Sequence, residues 1–235
     1  NKAQMLVDLV GPKDLYFIGG RALAKTSGII AQRSQKIIQD MPGSYQMFVS
    51  DTYMNALTNV LPALIEGWQR MGWREGIHFV TDKRPPSHFK LPYKPPLHYK
   101  HTISIFNGTF FNLGSLDQPS GLAGSSYQHR FGDEARLLKK KKLDRSTPAL
   151  RGEFVRYGHS VYYMGNTFTT DMPNILTSDD DWILNMEKEM DAEQIELARE
   201  LEALNIDLIQ TEGHFSNETP SNGVRGLIER AELTI

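Results

Sequence analysis

A lysine and two hydroxyl residues reached through a pair of glycines form a group that can hold phosphate. The stretch LYFIGGRALAKTSGII (15–30) has this composition: an apolar run, Gly19-Gly20, then Lys25-Thr26-Ser27 opening an apolar-periodic segment. The spacing approaches G-x-x-x-x-G-K-[ST]. In that loop, backbone N–H groups surround phosphates at the positive end of a helix, the lysine meets the outer phosphates, and the hydroxyl binds Mg²⁺. Gly19, Lys25 and Thr26 occupy the matching places, so Gly19, Gly20, Arg21, Ala22, Leu23, Ala24, Lys25, Thr26 and Ser27 make the candidate nucleotide cradle. Ala24 stands where the pattern has glycine. Its methyl group costs about 1 kcal/mol if the site requires positive φ, and little if it does not. The competing reading is an ordinary strand-to-helix turn.

Phosphate chemistry also needs carboxylates: one to hold the ion's hydration shell and one to polarise water. YQHRFGDEARLL (127–138) offers Asp133-Glu134. The preceding Gln128-His129-Arg130 is more polar than a buried parallel strand should be, so the other reading is a surface turn entering a basic helix, ARLLKKKK. Two further features are candidates for nucleic-acid contact. In DKRPPSHFKLPYKPPLHYKH (82–101), five prolines impose an extended excursion in which Lys83, Arg84, Lys90, Lys94 and Lys100 alternate with Phe89, Tyr93 and Tyr99. Basic and aromatic residues so interleaved suit a nucleic-acid backbone; the alternative is an insertion clasped to its domain by the aromatics. Lys139–Lys142 is either a phosphate contact or a solvated helix face. His98 and His101 lack a third ligand at a suitable spacing and read as residues of a hairpin face, not a metal site.

The elements that must position these groups follow from periodicity. Leu15–Ile18 reads as a buried strand, 26–41 as a helix through Ile29, Ile30, Ile37, Ile38 and Met41, and YQMFVS (45–50) as a second strand. Residues 52–71 read as a helix kinked or broken near Pro62, and 77–81 and 160–170 as strands. HTISIFNGTFFNLGS (101–115) reads as a hairpin about Asn107-Gly108, the dipeptide favoured by type I′ turns. Strands alternating with helices imply a mainly parallel sheet with one local antiparallel element. From residue 178 the chain becomes acidic: Ser178 reads as a helix cap, and Met186, Met190, Leu197, Leu201 and Leu204 as the apolar stripe of one or two helices to about 206. Residues 211–235 read as looser. The expected division is a core of 1–177 and an acidic helical subdomain or linker of 178–235.

The 235 residues contain no cysteine, which excludes disulfides and thiolate metal sites. With no apolar run of eighteen residues, no membrane span is expected and the chain should be soluble. It begins at Asn1, which reads as a fragment or processed chain. The net charge of -2 hides an asymmetry. Residues 178–235 carry 15 acidic and 4 basic side chains, net -11, and 1–177 carry 13 acidic and 22 basic, net +9. A basic body points to a polyanion, or to solvated faces of opposite sign.

Taken together, the segments resemble the ATPase domain of the large terminase subunit, the DNA-packaging motor of tailed bacteriophages. GGRALAKTS is similar to its Walker A loop, which carries an arginine four positions before the lysine and in some members an alanine at the place of Ala24. NGTFFNLGSLDQPSGLAGSSYQHRFGDEA (107–135) resembles the run leading to Walker B. MGNTFTTDMPN (164–174) resembles the Thr-rich coupling motif, with Asp171-Met172 in place of the usual Thr-Pro. The likeness covers about residues 1–205 and implies a P-loop NTPase fold of the ASCE or RecA-like kind.

It also implies ATP and Mg²⁺ as ligands, with Lys25, Arg21 and Glu134 catalytic, Thr26 and Asp133 at the metal, and Thr169 and Thr170 coupling phosphate loss to movement. Arg145 or Arg151 would reach a neighbouring subunit's nucleotide, against the default of surface arginines. The implied partners are double-stranded DNA, a portal protein, a small terminase subunit and further copies in a homo-oligomeric ring. The implied location is host cytoplasm, on the procapsid, with no membrane. The family's RNase H-like nuclease would lie beyond Ile235, so no DNA cleavage is expected of this chain. Two alternatives remain at this point: another helicase-like P-loop NTPase, and a degenerate, non-hydrolysing scaffold that binds DNA or an assembly partner.

Overall fold

The computed structural model describes residues 2–21, 23–117, 122, 124–174, 176 and 179–211. Ala22, the cap at Ser178 and the looser 212–235 tract therefore lie outside the described residues. Seven strands form one sheet: β1 (Leu15–Ile18), β2 (Tyr45–Ser50), β3 (Phe79–Thr81), β4 (Thr102–Ile105), β5 (Phe110–Ser115), β6 (His129–Gly132) and β7 (Gly165–Thr170). Their order is β1-β7-β6-β2-β5-β4-β3. The pairings from β1 to β5 are parallel and those of β5-β4-β3 antiparallel. β7 thus stands between the strand that enters the glycine loop and the strand that ends at Asp133.

Central parallel strands are covered on both faces, which is why all six residues of β2 are buried. β6 is equally buried although its residues are polar, and this removes the surface-turn alternative. The strand tolerates burial because its polar groups are partnered. His129 Nδ1 donates to Tyr162 O at 2.8 Å, and its Nε2 accepts from Thr167 Oγ1 at 2.8 Å. Thr167 Oγ1 in turn accepts from Arg33 Nε at 2.7 Å. Arg130 reaches Asn166 Oδ1, Leu143 O and Ser146 Oγ. Gln128 Oε1 accepts from Tyr45 N at 2.7 Å. Burial still weighs on the charges: it brings the Arg130 guanidinium down to about 10 and holds His129 neutral, well below the usual imidazole range.

The helix after the loop opens with a π-helical turn (Lys25–Ile30) and continues as α2 (Ala31–Asp40); α1 (Lys2–Val10) precedes β1. Ile30, Ile37 and Ile38 lie on one face at helical spacing and enter the core with Phe48, Phe111 and Phe131 of the sheet. The segment expected at 52–71 runs through α3 (Tyr53–Asn55), a π-helical turn (Ala56–Val60) and α4 (Leu61–Arg70). Pro62 follows directly on the π-helical turn, and the chain stays helical through it to Arg70 instead of breaking. Leu64 and Trp68 of α4 join the same core, and the Trp68 indole donates to Ser34 Oγ at 2.9 Å.

The 101–115 hairpin forms, but its turn is not type I′. That type requires positive φ at both Asn107 and Gly108, and only Gly108 has it (φ 92°). Gly108 N donates to Ile105 O and Ile105 N to Thr109 O, which makes a three-residue loop. Asn107 is held by its side chain, accepting from Thr109 N and donating to Ile38 O.

Beyond Glu134 the expected basic helix is broken into a 3₁₀ turn (Ala135–Leu137) and α5 (Lys140–Asp144), because Leu138 and Lys139 are extended. α6 (Phe154–Tyr157) precedes β7. A 3₁₀ segment (Trp182–Glu189) follows β7; the Trp182 indole donates to Leu138 O at 2.8 Å and its ring meets Phe168 edge-on. By contacts the chain forms two compact units, one of Pro12–Asn185 and one of Asn1–Gly11 with Met186–Ile235. The second contains α1 and α7 (Ala192–Thr211). Of the expected stripe, Met186 is buried and Leu201 half-buried, while Met190, Leu197 and Leu204 are exposed.

Candidate functional site

The carboxyl ends of β1, β7 and β6 lie side by side, with Ile18 registered to Thr170 and Gly132 to Phe168. In open parallel sheets this is the edge at which ligands bind. Three chain segments leave it there. From β1 comes the loop 19–24, anchored by the bond from Gly19 N to Thr170 O at 3.0 Å. It ends at Ala24, whose φ of 52° and ψ of 44° are left-handed. The position therefore does demand the conformation for which glycine is favoured, and alanine adopts it at a cost. From there Ala24 O accepts from Gly28 N at 2.7 Å and Ile29 N at 3.4 Å, which starts the π turn carrying Lys25 and Thr26.

From β6 comes Asp133, which is buried and accepts three bonds. Thr26 Oγ1 donates to its Oδ2, while Thr169 Oγ1 at 2.6 Å and Glu134 N at 2.9 Å donate to its Oδ1. Thr26, Asp133 and Thr169 belong to three segments far apart in sequence and meet here through side-chain bonds. A hydroxyl and a carboxylate side by side are hard oxygen donors of the kind Mg²⁺ accepts, so Thr26 and Asp133 fit that ion. Glu134 follows in a left-handed conformation (φ 50°) that turns it away from the strand direction. Its carboxylate accepts from Arg136 Nε at 2.9 Å, and Arg136 Nη1 donates to Asp179 Oδ2 at 3.1 Å. Burial works against the Arg136 charge, yet the bonds to Glu134 and Asp179 outweigh it and raise its pKa above the ordinary value. Arg136 N also donates to Thr170 Oγ1 at 3.2 Å.

From β7 comes Asp171, and here the sequence reading missed the residue that matters. Lys25 Nζ lies 2.5 Å from Asp171 Oδ1, and Gly20 O and Gly19 O accept at 3.2 and 3.3 Å. Arg21, almost fully exposed, has its Nε 3.5 Å from Asp171 Oδ2. The bond from Lys25 holds the Asp171 carboxyl below its usual range. The available signal was the acid standing directly after Thr169-Thr170. For Arg136, two residues past Glu134, no pattern distinguished it from any surface arginine.

Supporting the π turn from behind is Gly67 of α4. A Cβ there would lie 2.3 Å from Ser27 O and 2.5 Å from Ala31 Cβ, so only glycine lets the helices approach this closely.

The remaining candidates lie elsewhere. Lys83, Arg84, Lys90 and Lys94 are all exposed on an irregular excursion. Its aromatics face inward: Phe89 is buried, Tyr93 packs on Tyr45 and Tyr157, and Tyr99 meets Phe110 edge-on. Lys90 N donates to Phe106 O and Tyr93 N to Gly43 O, which lays this stretch along the amino ends of β2 and β5, opposite the loop. Of the lysine run, Lys140 pairs with Asp144 and Lys142 with Asp117. Arg145 and Arg151 are exposed, and Arg151 N bonds Tyr127 O at the amino end of β6. His101 stacks on Tyr53, and among the described residues no group of three His, Asp or Glu could hold a metal ion. No helix among them is long and apolar enough to cross a membrane.

The fold is a mainly parallel sheet flanked by helices, with a glycine loop and lysine after β1 and β7 interposed between β1 and the strand that leads to the Asp-Glu pair. In sequence, a family described as "Protein of unknown function (DUF561)" matches residues 181–235. No curated protein matches the chain. Solved structures with a similar fold include the large terminase of a thermophilic bacteriophage, at 11% identity and a TM-score of 0.48 over 72% of this chain and 37% of that one. The same terminase in complex with ADP is similar at 14% identity and a TM-score of 0.48, with the same coverage. A third is the large terminase ATPase domain of Thermus phage P74-26, at 14% and 0.43 over 75% of this chain and 70% of that one. The chain thus spans about 37% of the length of the first of these terminases.

Proposed function

We propose that this chain is an ATP-hydrolysing motor domain of terminase type, which moves double-stranded DNA. The observation that carries the reading is the convergence of Lys25, Thr26, Asp133, Glu134 and Thr169 on the carboxyl ends of three neighbouring strands. In this reading Lys25 and Arg21 bind the phosphates, and Arg21 stabilises charge developing in a loose transition state. Thr26 and Asp133 hold Mg²⁺, which when bound would neutralise phosphate charge. Glu134 orients the attacking water and takes its proton. Thr169 and Thr170, bonded to Asp133 and to the backbone of Arg136, pass the change in phosphate charge to β7.

The exposed Lys83, Arg84, Lys90 and Lys94 supply backbone contacts to DNA. Stacking on bases is not part of this reading, since the excursion's aromatics face the domain. A portal protein, a small terminase subunit and a homo-oligomeric ring, with Arg145 or Arg151 acting in trans, complete the proposal. The work would be done in host cytoplasm on a procapsid.

A non-hydrolysing scaffold is the second reading. It is favoured by the ion pairs that occupy both Lys25 and Glu134. Titration calorimetry of Mg-ATPγS into the chain and into Lys25→Ala tests the first step. Binding by the parent that is lost in the variant supports the nucleotide site. No binding by either well-folded protein overturns it. Phosphate release from Mg-ATP, abolished in Glu134→Gln, then separates the motor from the scaffold.

A further inference from the structure

An ammonium group has three donors. In Lys25 all three are engaged, by Gly19 O, Gly20 O and Asp171 Oδ1. The first two partners are neutral carbonyls of the loop itself. The third is an anion, and Arg21 approaches its other oxygen. One carboxylate therefore stands toward the lysine and arginine of the loop as a phosphate would. It comes from β7, not from the loop, at the residue after Thr170, whose carbonyl anchors Gly19. An incoming phosphate cannot simply add to this arrangement. It would need the donor of Lys25 that Asp171 holds, and it would bring like charge against a carboxylate that is ionised at neutral pH.

Resting on the nucleotide-site reading above, we infer that Asp171 is an internal competitor for phosphate: it holds Lys25 and Arg21 in the empty site and is displaced when nucleotide enters. The exchange is a switch between two partners of the same cations. Because Asp171 continues the strand of Thr169 and Thr170, its release frees the chain leaving β7 at the moment the loop is filled. Its return on phosphate loss restores the link between β7 and the loop.

The test is calorimetric titration of Mg-ATPγS into the parent chain, Asp171→Asn and Asp171→Ser, with melting of each measured free and at saturating nucleotide. Removing the competing charge should tighten binding about tenfold, equivalent to about 1.4 kcal/mol. The free variants should melt lower than the parent, since Lys25 loses its anion, and the difference should shrink once nucleotide replaces it. A residue that merely supports the fold would weaken binding and lower both melts. Binding by the parent with equal or weaker binding by folded variants overturns the competitor and leaves the nucleotide site standing. Absence of binding by parent and variants alike overturns both.

Discussion

Gly67→Ala should damage the glycine loop's helix from behind. An added Cβ would lie 2.3 Å from Ser27 O and 2.5 Å from Ala31 Cβ, where real Cβ atoms essentially never come within 3.0 Å. The nearest obstacle is backbone, so α4 and the loop's helix must separate by about 0.7 Å. Alanine gains about 1 kcal/mol over glycine in a helix interior. Overpacking of this kind costs about 1–3 kcal/mol. The net expectation is a loss of about 1 kcal/mol, read as a lower urea midpoint with an unchanged slope. The displaced backbone is that of Ser27, next to Thr26, whose hydroxyl bonds Asp133. Shifts approaching 1 Å at such positions cost up to about a hundredfold in rate, so, on the proposed function, phosphate release from Mg-ATP should also slow by about tenfold to a hundredfold. A variant that unfolds at the parent's midpoint or higher would refute the argument from close approach, whatever its rate.

Two further outcomes follow from other parts of the molecule. Ala24→Gly should stabilise the protein: it relieves about 1–2 kcal/mol of left-handed strain and returns about 0.4–1 kcal/mol through the freer unfolded chain. The net of about 0.5–1 kcal/mol should appear as a melting temperature about 1–3 °C higher, and a fall would refute it. Burial lowers the pKa of His129 well below its ordinary value, so the unfolded chain binds the proton first. Stability from this residue is complete above pH about 6.5 and declines as pH falls toward the depressed folded value. Unfolding free energies from urea titration at pH 7.5 and 5.5 should differ by up to about 1.4 kcal/mol from this residue, and His129→Gln should lack that part of the pH dependence.

Much of the fold was legible because its signals are local. Leu15–Ile18 and Tyr45–Ser50 are strands with the bounds that their apolar runs indicated, and the helices after Ala24 and about Pro62 begin and end within a residue or so of their periodic patterns. The hairpin was visible in Asn107-Gly108, but its turn type was not, since the side-chain bond from Asn107 to Ile38 O crosses from another element. β6 defied its pattern. A His-Arg strand reads as surface until Thr167, Asn166 and Ser146, each on another segment, are seen to satisfy it.

The chemistry divides in the same way. By itself the sequence determined the candidates for phosphate and metal, because a lysine beside a threonine, or an aspartate beside a glutamate, is written within a few positions. The apolar run before the glycines also indicated that the lysine and threonine would follow a strand, whereas the strand that leads to Asp133 was hidden by its polar residues. Only the tertiary structure decided that β7 lies between the two strands, that Thr26 meets Asp133 across 107 residues, and that Asp171 meets Lys25 across 146. Such pairings depend on strand order and on which charges are left without water. Those are properties of the packed sheet, in which an unpaired ammonium or carboxylate would be costly, and no local pattern encodes them.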